Sequence, residues 1–144
     1  MIYETPEQRA AEAALGRWLA PRWDLEMTQQ PQLTRIDFVA HRGGCTVCVV
    51  EAKIRPKVWR DQYRTQWITL DKRDGLRDAA WARHLSPLDR CCRYVVQWCD
   101  AVGWLRLSEV TDCRQTLSLP RHDRPHVEVF PVLQVPTDRF RLIL

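Results

Sequence analysis

The sequence is 144 residues long, 45% hydrophobic and 28% charged, with a formal net charge of +4. That is enough chain to bury a core without a disulfide framework or a structural metal, and the charge is too modest to announce a nucleic-acid partner by itself. No run approaches the ~20 apolar residues needed to cross a bilayer, and the opening MIYETPEQRAAEAALGRWLA carries neither a basic leader nor an unbroken apolar stretch, so the expectation is one cytoplasmic domain over residues 1–144 with no membrane span.

Thr5-Pro6-Glu7-Gln8 pairs a capping threonine with proline at the first helical position and glutamine three residues after the cap, which predicts a helix to about Leu19, stopped by Pro21. Its apolar stripe is read as Ala11, Ala14, Leu15 and Trp18, with Glu12 at the edge. Three strands follow, Trp23 to Thr28, Leu33 to His41 and Cys45 to Arg55, and the short gaps at Gln29-Gln30-Pro31 and Arg42-Gly43-Gly44 predict an antiparallel meander. From Lys57 to Leu85 the chain is polar, basic and aromatic with helical stretches, the best being Asp71 to His84, which would bury Leu76, Ala79, Ala80 and the stem of Arg83 before Ser86-Pro87 closes it. Cys91 to Trp98 and Trp104 to Val110 read as strands around a turn at residues 100–103. Residues 120–125 read as a loop, Val127 to Val135 as an edge strand interrupted by Pro131, and Phe140, Leu142 and Leu144 as a final short strand.

Cations cluster in one segment. Between Lys53 and Arg77 there are eight basic residues against three acidic ones. Lys57, Arg60, Tyr63, Arg64 and Lys72, with Trp59 and Trp67 among them, interleave cations with rings as a surface that grips phosphates and stacks on bases would. The bland alternative makes Trp59, Trp67 and Trp81 core residues and the arginines a solvated face; the expectation combines the two, with tryptophans mostly buried and some cations on phosphates. The six cysteines are expected to be reduced thiols. Cys45 and Cys48 would point to opposite faces of one strand, which speaks against a zinc site built from them with Cys91, Cys92, Cys99 or Cys113. His41, His84, His122 and His126 lack ligand spacing and read as structural or surface residues.

Ionisable residues interrupt two of the apolar strands. In VCVVEAKI, Val47, Val49, Glu51 and Lys53 share one face because side chains alternate along a strand. Asp37 lies between Ile36 and Phe38 in the preceding strand, and a short turn lets it pair across to Glu51. Two adjacent carboxylates repel unless a cation lies between them, and oxygen ligands suit magnesium or manganese. A lysine two residues on can orient or deprotonate an attacking water, or steady charge on a phosphate. These are the parts of metal-assisted phosphodiester hydrolysis. The competing reading is a solvent-facing ladder of surface charges, which the apolar character of the strand opposes.

Asp37 followed, 14 residues later across a hairpin, by Glu51-Ala52-Lys53 resembles the acid and E-x-K of the PD-(D/E)XK nuclease superfamily. The likeness spans roughly residues 5 to 98 by element order and is greatest to small phage and prokaryotic resolvase-like or exonuclease-like members. It implies a restriction-endonuclease-like core of mixed α/β (α+β) class: helix, three-stranded meander, helix, strand, with extra C-terminal strands. It also implies Mg2+- or Mn2+-dependent cleavage of DNA, with Asp37, Glu51 and Lys53 catalytic and Glu12, Asp37, Glu51 and the Ala52 carbonyl as metal ligands, and it allows a homodimer. Ile36 stands where the motif has proline, and Gln62 and Tyr63 are adjacent, unlike the Q-x-x-x-Y of helicase-associated exonucleases. The alternative function is a non-catalytic module that keeps the nuclease fold for a phage structural or regulatory task.

Overall fold

The computed structural model describes residues 4–86, 91–118 and 129–144. The expected loop at 120–125, His122, His126, Pro87 and the start of the expected strand at 127–128 lie outside the described residues.

Helix α1 (Pro6–Trp23) begins on the expected capping box: the Gln8 N–H donates to the Thr5 hydroxyl at 3.1 Å, and the Thr5 N–H donates to the Gln8 side chain at 2.8 Å. Pro21 does not stop it. The helix runs on through Pro21 to Trp23 and ends at Asp24, whose φ of 52° is left-handed. A proline in the last turn forfeits one hydrogen bond, and packing of Trp18, Leu19 and Trp23 against the sheet outweighs it. The buried stripe is also rotated from the expected one: Ala11 and Ala14 face outward, and Glu12, Leu15, Gly16 and Leu19 face in. The two leucines carry more apolar surface than the alanines, and Gly16 allows the helix to lie directly on Phe38, where a Cβ would stand 2.6 Å from the ring.

Because α1 extends further, the first strand starts later than expected, as β1 (Glu26–Gln29). It pairs antiparallel with β2 (Phe38–Arg42), which pairs antiparallel with β3 (Cys45–Arg55). The meander is therefore as read, and its second turn places Gly43 and Gly44 at φ 56° and 80°, the backbone a two-residue hairpin demands. Residues 33–37 are not in a strand; Arg35 instead ties this segment to the second helix through Asp78 at 3.0 Å.

β4 (Thr65–Thr69) lies within the stretch expected to be helical, and α2 (Leu70–Ala82) follows it directly, burying Leu76 and Ala80 as expected. β5 (Cys92–Trp98) returns parallel to β3, placing Tyr94 opposite Glu51 and Val96 opposite Lys53. β6 (Val102–Arg106) pairs with it in place of the expected 104–110 strand, since Leu107–Val110 turns into a short 3-10 helix that the Glu109 carboxylate caps by accepting the Arg106 N–H at 3.0 Å. With β7 (Arg114–Leu117), β8 (Pro131–Pro136) and the two-residue β9 (Arg141–Leu142), the strands form a six-stranded mixed sheet, β1-β2-β3-β5-β6-β9, and a three-stranded one, β4-β8-β7. The expected edge strand is thus the centre of the small sheet. Pro131 is tolerated because it is the first residue of β8.

Three layers result. Leu15 and Leu19 of α1 pack with Phe38, Ala40, Cys48, Val50 and Val95 on one face of the large sheet. On the other face Val49, Tyr94 and Val96 pack with Leu76 and Ala80 of α2 and with Ile68, Leu133 and Val135 of the small sheet. Cys45 is exposed and Cys48 buried, and all six cysteines are free.

Gly16→Ala tests the close approach of α1. Alanine in place of a helical glycine ordinarily stabilises by about 0.5–1 kcal/mol, but here the added methyl meets a fully buried ring. The variant is expected to be less stable by roughly 1–3 kcal/mol, read as a lower denaturation midpoint in guanidinium; an unchanged or higher midpoint would show that α1 does not rest on Phe38.

Candidate active site

The central face of β3 changes from apolar to ionisable as the strand advances. Val49 is fully buried, Glu51 is 3% exposed and Lys53 is exposed. Asp37 is the residue before β2, and its N–H still donates to the Val50 carbonyl at 3.0 Å, so it keeps the strand's register beside Glu51. One Asp37 carboxylate oxygen accepts the Ala52 N–H at 2.8 Å, a bond possible because β2 has not yet begun at that point. From the opposite layer α1 delivers Glu12, 8% exposed, whose carboxylate accepts from the Gln29 amide at 3.0 Å. Gln29 also donates to the Arg9 carbonyl at 3.1 Å, locking β1 to the helix.

Lys72 completes the group. It sits in the first turn of α2, and its ammonium donates to Glu51 at 2.7 Å. The other Glu51 oxygen is buried without a partner. Among the described residues no three His, Cys, Asp or Glu side chains close into a ready metal cage; the cation that meets Glu51 in this arrangement is Lys72.

Burial first, and the Asp37 charge second, push the Glu51 carboxyl up to about 8 against the pull of Lys72. Burial likewise lifts Glu12 to about 7, with Asp37 adding to the rise and the Gln29 hydrogen bond opposing it. Asp37 is raised by burial, opposed by the Ala52 N–H and Lys72. Burial by itself lowers the Lys72 ammonium, but Glu51 and Asp37 reverse the sign and hold it above its ordinary value. Carboxylates of this kind are short of positive charge.

Glu12, Asp37, Glu51, Ala52, Lys53, Lys72, Thr69, Trp67 and Tyr94 line one cleft of ≈ 650 Å³. The structure thus brings together Glu12, Asp37, Glu51, Ala52 and Lys53, and it moves Lys72 from the expected phosphate-facing set to the carboxylates. Tyr63 and Arg64 lie at a neighbouring hollow, and Arg60 opens a short 3-10 helix and donates its N–H to Asp100 at 2.8 Å. Lys57 is exposed. The tryptophans of this region are not buried as expected: Trp59 is 60% exposed, Trp67 39% and Trp81 67%. Their positions on a turn, on the outward face of β4 and on the solvent side of α2 leave the core to Ile68, Leu76 and Ala80. Sequence reasoning passed over Tyr94 and Gln29. Tyr94 could be seen as a polar ring in an apolar strand, but its place beside Glu51 follows from a parallel register that no local pattern encodes.

A model of the family described as "Phage putative PDDEXK endonuclease" matches residues 1–143. The chain belongs to that family. Its fold agrees with that of other nucleases of the superfamily: the structure of the Holliday junction resolvase Hjc from Archaeoglobus fulgidus superposes with a TM-score of 0.50 at 12% identity, covering 91% of this chain and 98% of that one. A search of curated proteins gives no match. No helix among the chain's described residues is long and apolar enough to cross a membrane.

The raised carboxyls fix a pH dependence. A carboxyl whose folded value lies above its unfolded value adds stability at low pH and loses it as pH rises through the folded value; for Glu12 and Glu51 the window runs from 4.5 to about 7 and about 8. In chelator the protein should therefore melt several degrees lower at pH 8 than at pH 5.5. Glu51→Gln, neutral at every pH, should flatten that slope and exceed the parent at pH 8 by on the order of 2 kcal/mol. A parent melting temperature that is level or climbs across this range contradicts the assignment.

Proposed function

We propose that this protein is a deoxyribonuclease that hydrolyses phosphodiester bonds with one or two magnesium or manganese ions, in DNA processing, repair or recombination. The observation that carries the reading is the convergence of Glu12, Asp37 and Glu51 from three separate elements on one cleft, with two lysines at its edge. The donor set fits a hard divalent cation: oxygen ligands only, carboxyls raised by burial and, for Glu12 and Glu51, by the Asp37 charge, and a buried Glu51 oxygen with nothing to bond. Glu12, Asp37, Glu51 and the Ala52 carbonyl would hold it, the carbonyl because a strand residue's C=O projects to the same edge as its N–H, here toward Asp37. When bound, such an ion polarises a phosphoryl oxygen and lowers the pKa of a coordinated water.

The chain's own groups do the rest. The Ala52 N–H fixes the Asp37 carboxylate in one orientation. Lys53, exposed at the cleft, positions the attacking water and meets the charge that builds on the phosphate. Lys72 holds Glu51 in place and opposes the rise of its carboxyl, which makes it a positioning residue. Lys57, Arg60, Tyr63 and Arg64 extend the reading as a path for the DNA backbone. Homodimerisation through the C-terminal strand, where Leu142 and Leu144 are exposed, belongs to the same proposal.

Purified protein should cut labelled DNA with magnesium and stop in chelator. Folded Asp37→Ala and Lys53→Ala variants should each lose roughly 10²–10⁴-fold in cleavage rate. Cutting that survives both substitutions places the chemistry elsewhere, and DNA binding without cleavage under every metal condition favours the non-catalytic module.

A further inference from the structure

A second hollow of ≈ 430 Å³ adjoins the carboxylate cleft, and Lys53, Trp67 and Tyr94 line both. Tyr63, Arg55 and Arg64 also stand in its wall. Two large rings, Tyr63 at 49% exposure and Trp67 at 39%, are thus held in solvent within one concavity that also carries cations. Folding alone gives no reason to leave them there, since the core beneath is closed by Ile68 and Val135.

The wall is also rigid. Gln66, buried on the inward face of β4, accepts from the Arg55 guanidinium at 2.7 Å and donates to the Thr137 hydroxyl at 3.1 Å. That hydroxyl donates to the Tyr63 carbonyl at 2.7 Å, and the Thr137 N–H donates to the Arg64 carbonyl at 2.8 Å. Arg55 in turn lies over the Tyr63 ring, 5.6 Å from its centre. A surface fixed this firmly loses little entropy on binding.

Resting on the nuclease reading, we propose that this hollow is a nucleotide subsite: it receives one unstacked base of the DNA between Tyr63 and Trp67, next to the phosphate under attack at Lys53, while Arg55 and Arg64 meet the flanking phosphates. A base inside intact duplex has both faces covered by its neighbours, so it cannot stack on a protein ring unless it is flipped or already unpaired. The substrate class that follows is DNA with an unpaired nucleotide beside the cut: a single strand, a flap or a branch point, in preference to uninterrupted duplex.

The test uses the full chain in chelator, where binding proceeds without cleavage, and a flapped oligonucleotide carrying 2-aminopurine or an abasic site at successive positions. Wild type should change 2-aminopurine emission at one position only, and an abasic site there should weaken binding by roughly tenfold. Trp67→Ala and Tyr63→Ala should each abolish most of that discrimination, so that each variant binds the intact and the abasic oligonucleotide alike. Trp67→Phe, which keeps a ring in β4, should restore it and shows that the loss is not misfolding. The same oligonucleotide with magnesium separates the two readings. Cleavage by wild type without any positional 2-aminopurine signal, or equal binding of intact and abasic DNA at every position, overturns the subsite and leaves the nuclease standing; a positional signal without cleavage supports the subsite and overturns the nuclease.

Discussion

The contact between the Lys72 ammonium and the Glu51 carboxylate organises the rest of the molecule. Glu51 lies in a central strand of the six-stranded sheet, buried, and beside a second carboxylate that repels it. Burial and that repulsion both favour the protonated carboxyl. Lys72, on α2 packed against this face of the sheet, opposes that shift with its own charge. The side chain is long and half exposed, so it can stabilise the carboxylate without being committed to it. Glu12 depends on the same arrangement from the other side: it reaches the cleft because Gly16 lets α1 lie close on Phe38 and because Gln29 anchors its carboxylate.

Much of this was legible in the order of residues. The capping box at Thr5, the paired glycines at 43 and 44, and the alternation along VCVVEAKI each encode one local conformation, and together they put Asp37 beside Glu51. Glu12 was legible only through a family resemblance, and the stripe it belongs to was placed one step around the helix because alanines were counted as equal to leucines. Distance in sequence hid the remainder. β4 pairs with β8, more than sixty positions away, so the strand character of TQWIT is decided by a partner and not by its own five residues. The same holds for Tyr94, whose neighbour across the parallel pair is set by the whole crossover. Lys72 was read as a phosphate contact because its neighbours in sequence are basic, whereas its place in space is acidic.

The small sheet gives the site its outer wall. Ile68 and Gln66 face inward, Trp67 faces outward at the rim of the cleft, and Thr69 caps α2 through a 3.2 Å bond from the Lys72 N–H. One five-residue strand therefore sets the ring at the rim of the cleft and the first turn of the helix that carries the counterion. β8, remote in sequence from every acidic residue of the site, holds this strand by pairing with it along its whole length.

The carboxyls of the cleft are raised chiefly by burial, and under the proposed function a divalent cation takes the place of their protons. Calorimetric titration of magnesium or manganese into the protein at pH 7, repeated in buffers of different ionisation heat, counts the protons exchanged on binding. With Glu12 raised to about 7 and Glu51 to about 8, metal binding should release roughly one proton per site, and Glu51→Gln should reduce that number. Metal binding with no proton released, or no binding at all, would contradict the account.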